Sequence, residues 1–512
     1  MSQTIYKPVN FLGALDVGTS SVRFMVFQSN TSNCVASAQL ENPLLFPKPG
    51  WVEQEPMGFL SRIDLCIQKT IRDFLKKGYQ LSQIKGVGLS TQRETVVVWD
   101  NQTGLPLYNA VVWGDNRTQS LVDKYKKKLT VCDFNDFNFE CGLPISTYFS
   151  ALKIRWIFDN VSGLEEKIKE GFVSCGTLDS WLLYKYSGNH VTDVSNASRT
   201  MLMNLHTCRW SSRLLSFFGI PVATLPEIRS SSEVYGYFQH GVLKGIPFAS
   251  CLGDQSASLL GQGCREAGQC GATFGTGCFL LQNTGLSPNY SRTGLLTTVA
   301  YKLGKSQSVV YALEGYIPTA GAAIRWLRDD LGIVNDLEEV EELATKVDDS
   351  GGVCFVPAFS GLHAPYWKAD TRGVIAGLTQ HSHEGPIVRA CLEAICLQTR
   401  DTIAAISQDS EKPVATLVVT GGLCAISIFA QTLADILQCK GLLPSMRESS
   451  ALGAAAAAGF CLGLWNFEDI HRVDYCEGNT FQPSKKCDYV EKLCATWQKG
   501  ISCSSGWASK NP

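Results

Sequence analysis

The stretch Cys251–Phe279, CLGDQSASLLGQGCREAGQCGATFGTGCF, decides how the chain folds. It opens with Gly253-Asp254-Gln255, a carboxylate and an amide beside a residue without a side chain. It closes with Gly275-Thr276-Gly277, set in an apolar run that reads as strand, turn and strand. Glycines in such a turn let backbone N–H groups approach an anion, and the threonine adds a hydroxyl donor. One short stretch therefore offers a candidate general base, Asp254, and a candidate phosphate cradle. Two plainer readings stand beside these. Asp254 could cap a helix that starts near Ser256, and Gly275 to Gly277 could be a tight hairpin turn.

The second pattern occurs again near the N-terminus. Phe11 to Asp16 is an apolar strand, Val17-Gly18-Thr19-Ser20-Ser21 a turn, and Val22 to Phe27 a second strand. Gly18 and Gly275 lie 257 residues apart in a chain of 512, close to half its length. That spacing predicts two similar halves, each opening with a phosphate-type hairpin. A single hydrophobic core stops growing at about 250–300 residues, so two domains are expected on length as well. The predicted division is residues 1–258 and 259–512.

Composition narrows the class. Hydrophobic residues make up 45% and charged residues 18%, which describes a globular chain and excludes a disordered one. The net charge of −2 gives no reason to expect nucleic acid or an anionic membrane as partner. Phe11 to Leu15 is too short for a signal core, and Ala451 to Trp465 falls short of the ~20 residues that span a bilayer. The latter, rich in alanine and glycine, reads as a helix packed closely on a neighbour. The 20 cysteines are scattered singly and form no C-x-x-C pair, which argues for buried thiols and a cytoplasmic location. His381 and His383 fall in a polar turn without further metal ligands.

Along the chain, a helix is expected from Pro56 to Lys77 and strands at Gly86 to Ser90, Val96 to Asp100 and Asn109 to Trp113. Their ends deliver Arg93, Glu94, Trp113 and Asp115, and strand ends are where α/β sheets place ligand sites. Arg93 beside Glu94 is equally readable as a solvated ion pair. Tyr148 to Asn160 carries Phe149, Leu152 and Trp156 at helical spacing. Val173 to Tyr184 reads as strand then helix. Tyr311 to Trp326 reads as a strand end followed by a helix through Gly321. Phe355 to Gly377 reads as a long loop, Pro386 to Ser407 as a helix, and Leu417 to Gly422 as a buried strand ending in two glycines. The last thirty residues read as polar, with no element assigned.

Together these segments resemble the FGGY carbohydrate kinases, over nearly the whole chain from about Phe11 to about Trp465. One family pattern is matched by Tyr148, Ser150, Lys153, Trp156, Asp159 and Asn160. PKPGWVEQEP, STQRET, VTDVSNASRTMLMN, FGTGCFLLQNTG, GLLTTVAYKLG, YALEG and SGLHAPYW resemble the members that phosphorylate glycerol. The resemblance implies an α/β fold of two actin-like, ribonuclease-H-like domains flanking an ATP cleft. It implies ATP-dependent, Mg²⁺-assisted conversion of glycerol to sn-glycerol 3-phosphate. Rivals are a kinase of another small polyol or sugar, and a family member without turnover. Homo-oligomer formation is left open.

The resemblance also implies roles. Asp254 would be the general base, and Asp16 would act in catalysis by holding Mg²⁺. Arg93, Glu94, Tyr148, Asp254 and Gln255 would bind the hydroxyls, with Trp113 and Phe279 against the carbons. Thr19, Ser20, Arg23, Gly275 and Thr276 would surround the phosphates, and Gly321 and Gly422 would line the nucleotide. Departures from the family pattern are Val17, Gly114 and Pro386, and, at the expected adenine end, Thr420, Arg325 and Ile426. The last three predict weaker ATP binding with substrate recognition kept.

Overall fold

The computed structural model describes residues 9–29, 33–129, 137–466 and 479–507. The outer ends of the two predicted domains, 1–8 and 508–512, lie outside them.

The first half is built on a six-stranded sheet. Its strands are β1 (Phe11–Val17), β2 (Ser21–Gln28), β3 (Cys34–Glu41), β4 (Ile84–Thr91), β5 (Pro247–Gly253) and the short edge strand Gly236–Tyr237. β1 and β2 form an antiparallel hairpin, β3 pairs antiparallel with β2, and β4 and β5 follow parallel on the other side of β1. The second half repeats this order with β6 (Cys270–Phe274), β7 (Cys278–Gly285), β8 (Val310–Ile317), β9 (Thr416–Thr420) and β10 (Lys440–Leu442). Again the first two strands make a hairpin, the third is antiparallel, and the last two run parallel to the first. The duplication predicted from Gly18 and Gly275 is thus present, with Leu296–Tyr301, antiparallel to β8, as an additional strand of the second sheet.

The central strands carry apolar side chains toward both faces, so β1 is buried throughout. Helix Pro56–Lys76 covers the first sheet with Phe59, Ile63, Ile67, Ile71 and Phe74, a stripe at helical period. Helix Glu384–Ser410 packs along the second domain.

The halves meet through two small-residue helices, α1 (Asp254–Gly261) and α3 (Ser449–Cys461); a further helix, α2 (Gly321–Asp329), follows β8. α3 packs on α1 and on β1, β4 and β5 of the first sheet. The approach is backbone to backbone. A Cβ on Gly453 would stand 1.8 Å from the Ala257 carbonyl, and one on Gly261 2.1 Å from that of Ser449. The close packing read from Ala451 to Trp465 is therefore present.

Three expectations need correction. The strand expected over Asn109 to Trp113 is only Ala110–Val111; beyond it the Trp113 backbone N–H donates to Thr95 Oγ1, not to a neighbouring strand, and Asp115 N–H closes a turn onto the Val112 carbonyl. The loop between Phe355 and Gly377 is flanked by a short strand pair, Cys354–Val356 with Val374–Ala376. The C-terminal segment is not featureless. Helix Cys487–Ser504 buries Val490, Trp497 and Ile501 against the second domain, an apolar stripe diluted in sequence by the charged residues on its outer face. The cysteines among the described residues are all free. No helix among those residues is long and apolar enough to cross a membrane.

Candidate active site

The first sheet assembles the cluster by register. β1, β4 and β5 are parallel neighbours, with Val17 opposite Thr91 and Gly253 opposite Thr91. Their C-terminal ends therefore coincide, and the residues at or just past those ends converge: Asp16, Arg93, Glu94 and Asp254. This is the position at which open α/β sheets bind ligands. Asp254 is the first residue of α1, not a cap for a helix starting near Ser256. Its Oδ1 accepts the neighbouring Gln255 N–H, at 2.8 Å.

Arg93 and Glu94 do not pair with each other, and neither is on the surface; they are 3% and 1% exposed. Arg93 donates Nη1 and Nη2 to the two carboxylate oxygens of Glu314, at 2.6 and 2.8 Å. Its Nε lies 3.4 Å from Asp254 Oδ1. Glu94, with a left-handed backbone at φ 58, accepts from Arg199 Nε at 2.6 Å. Arg199 Nη2 is 3.3 Å from Glu314 Oε1. The Asp254 side chain is 23% exposed, against 2% for Arg93 and 0% for Glu314, so it is the member of the network that reaches open space.

Burial pushes the Asp254 carboxyl up to about 7 against the pull of Arg93, with Asp16 and Glu94 adding to the rise. Asp16 is raised too, by burial, while Arg23 and the Ser90 hydroxyl oppose. Burial also works to raise Glu314, but Arg199 and Arg93 outweigh it and hold that carboxyl below its usual range. Gln255 is 8% exposed, and its Oε1 has no hydrogen-bond partner among the described residues. A buried amide oxygen of this kind suits a hydroxyl donor.

Opposite the charges stands an aromatic wall. Phe279 stacks on Tyr316 at 4.6 Å, and Tyr316 on Tyr148 at 5.7 Å. Trp113 meets Tyr148 and Tyr316 edge-on, both at 5.7 Å, and donates its indole N–H to Thr19 Oγ1 at 2.8 Å. Lys153, wholly buried under Tyr148, donates to the Tyr148 carbonyl, and burial lowers its amine to about 7. Asp115 is not part of the site. It pairs with Arg117 at 2.8 Å and accepts from Val52 N–H at 2.6 Å.

The two hairpins flank this cluster. In the first, Thr19 is held by Trp113 and Gln92, Ser20 is exposed, and Arg23 spans Asp16 at 3.5 Å and Glu448 at 3.3 Å. In the second, the Thr276 carbonyl accepts from Ala320 and Ala322 N–H and the Gly275 carbonyl from Gly321 N–H, all at 3.0 Å. The turn is thereby fastened to the N-terminus of α2, whose dipole favours an anion. Gly422 faces open space at the end of β9, where any added Cβ would meet nothing within 4 Å.

The residues expected at the adenine end are placed differently. Thr420 is buried, and its hydroxyl accepts from Gln262 Nε2 at 2.8 Å. Ile426 is 1% exposed and belongs to the second-domain core, because it precedes helix Ser427–Leu437 and packs under its first turn. Arg325 lies one turn into α2 and donates Nη2 to Thr276 Oγ1 at 3.1 Å, so it accompanies the phosphate-type hairpin.

Three residues of the cluster carry no site role in the sequence reading: Arg199, Glu314 and Tyr316. The signal that could have found Glu314 was a charge inside an apolar run. Glu314 in YALEG falls in a wholly buried strand stretch, and Tyr316 two positions on shares its face.

The fold and this cluster define a class. The chain belongs to the FGGY family of carbohydrate kinases, whose N-terminal domain matches residues 11–261 and whose C-terminal domain matches residues 270–462. Among its relatives, a probable glycerol kinase of Caenorhabditis elegans is 44% identical over 499 residues, covering 97% of this chain and 99% of that protein. A glycerol kinase of Acidiphilium cryptum is 45% identical over 503 residues, with the same 97% and 99% coverage. The crystal structure of Plasmodium falciparum glycerol kinase with ADP matches with a TM-score of 0.88 at 33% identity, covering 97% of this chain and 98% of that one.

Proposed function

We propose that the chain phosphorylates glycerol, forming sn-glycerol 3-phosphate with ATP as phosphoryl donor. The observation that carries this reading is the pairing of a donor-and-acceptor cluster with an aromatic wall. Arg93 supplies N–H donors, Glu94 and Asp254 accept, and Gln255 presents an unused acceptor. A triol needs both kinds of partner at once. The rings of Trp113, Phe279 and Tyr148, joined by Tyr316, leave its three carbons an apolar face and would obstruct a bulkier sugar.

Asp254 acts as general base. Its Oδ accepts the proton of the attacking hydroxyl as that oxygen bonds to the γ-phosphorus of ATP and the bond from that phosphorus to the bridging oxygen breaks, releasing ADP. A carboxylate held near 7 is better matched to this task than one at the ordinary value of about 3.9. ATP supplies the phosphoryl group, and Mg²⁺ neutralises phosphate charge. Asp16 offers the hard oxygen ligand that Mg²⁺ prefers, next to Arg23. Thr19, Ser20 and Arg23 face the phosphates from one hairpin, and Gly275 and Thr276 from the other. A Cβ on Gly321 would stand 2.6 Å from the Gly275 carbonyl, so Gly321 lets the hairpin close on α2, and Gly422 leaves room for the nucleotide. The two domains are assigned to residues 1–258 and 259–512.

A coupled assay with ATP, Mg²⁺ and a panel of polyols and sugars tests the reading. Turnover is expected with glycerol and should vanish to the background of the Asp254→Asn variant. Preferential turnover of a sugar, or no turnover of any acceptor, would replace it with one of its rivals.

A further inference from the structure

We propose that Glu314, on the second domain, is a positioning residue that sets how Arg93 and, through Arg199, Glu94 of the first domain present themselves to the substrate hydroxyls. The inference rests on the glycerol reading above.

Glu314 is 0% exposed and is paired across β8 with Leu281 on one side and Leu296 on the other. A carboxylate there is costly unless its charge is met. Arg93 meets it with a two-pronged bond, 2.6 and 2.8 Å, which fixes the plane of the guanidinium as well as its distance. Each terminal nitrogen keeps a second N–H, and Nε faces Asp254 at 3.4 Å. On its other side Glu314 Oε1 stands 3.3 Å from Arg199, which in turn holds Glu94 at 2.6 Å. One carboxylate of the second domain thus reaches two acidic members of the first-domain cluster, Asp254 and Glu94, each through an arginine. Two arginines balance two glutamates in this core, and Asp254 stands at its open edge.

A plain strut between domains would use the same bonds, so the test must separate the two. Wild type, Glu314→Gln and Glu314→Asp are assayed with glycerol and ATP varied independently. The wild type is read first: absence of glycerol phosphorylation overturns the glycerol reading and this inference with it, whereas activity leaves Glu314 alone in question. In Glu314→Gln the glycerol KM is expected to rise about ten- to a hundredfold while the ATP KM stays within about twofold. Glu314→Asp keeps the charge on a shorter arm and should fall between. In an Arg93→Ala background, Glu314→Gln should raise the glycerol KM by less than it does in the wild-type background, because only the arm through Arg199 remains. A wild-type glycerol KM in Glu314→Gln, or an equal rise for both substrates, overturns the proposal. Should Glu314→Gln fail to fold, Glu314→Asp decides, and an unchanged glycerol KM in it has the same meaning.

Discussion

Asp254 combines exposure to the cleft with a carboxyl raised by burial, and both properties can be measured in one substitution. Asp254→Asn should lower kcat by about 10²–10⁴. It should also alter stability with pH. The folded carboxyl titrates at about 7, above its ordinary 3.8. The folded state therefore binds the extra proton between those values, and wild-type stability falls as pH rises through that window. Melting curves at pH 4 and pH 8 should show the Asn variant gaining relative to wild type only at the higher pH. Arg93→Ala has a different signature. It should lower kcat/KM for glycerol at least ten- to a hundredfold, and, by stranding Glu314, cost about 3–5 kcal/mol in urea unfolding. Glu94→Gln should share the kinetic loss. A solvated pair would move stability by only ~0–1 kcal/mol and kinetics not at all. Asp254, Arg93 and Glu94 were legible in the sequence because strand ends and a familiar motif flagged them. Their partners were not, because pairing over 221 residues, as between Arg93 and Glu314, leaves no local trace.

The hairpins and strand ends were legible as elements: a glycine turn between two apolar runs has few other solutions. What the sequence could not set was the direction of a side chain leaving an element. Ile426 stands at a position where the family pattern suggested a nucleotide contact, yet the start of its helix turns it inward. Ile426→Asn is therefore expected to place an amide in a packed core, with a loss of roughly 2–5 kcal/mol and no gain in ATP affinity. Denaturant unfolding and calorimetric titration of ATP check the two halves of that statement. The C-terminal helix was missed for a related reason: its buried stripe of Val490, Trp497 and Ile501 is separated by polar and charged residues such as Glu491, Lys492, Gln498 and Lys499.

In the whole molecule, the two-sheet duplication was legible from one repeated turn at half the chain length, and a closely packed helix from an alanine- and glycine-rich run, though not that this helix joins the halves. Gly453→Ala should be tolerated poorly, since its methyl would meet the Ala257 carbonyl at 1.8 Å. A loss of about 1–3 kcal/mol or more is expected from overpacking, readable as a drop in melting temperature. That same contact has a mechanical consequence. Ser450 on α3 donates its hydroxyl to the carbonyl of Asp254 at 3.0 Å, so the carboxylate stands at the bearing between the domains. In any rotation, displacement grows in proportion to distance from the axle. Were the domains to swing about α1 and α3, the tips at Thr19 and Thr276 would travel along arcs while Asp254 stayed nearly still, like the rivet of a pair of tongs.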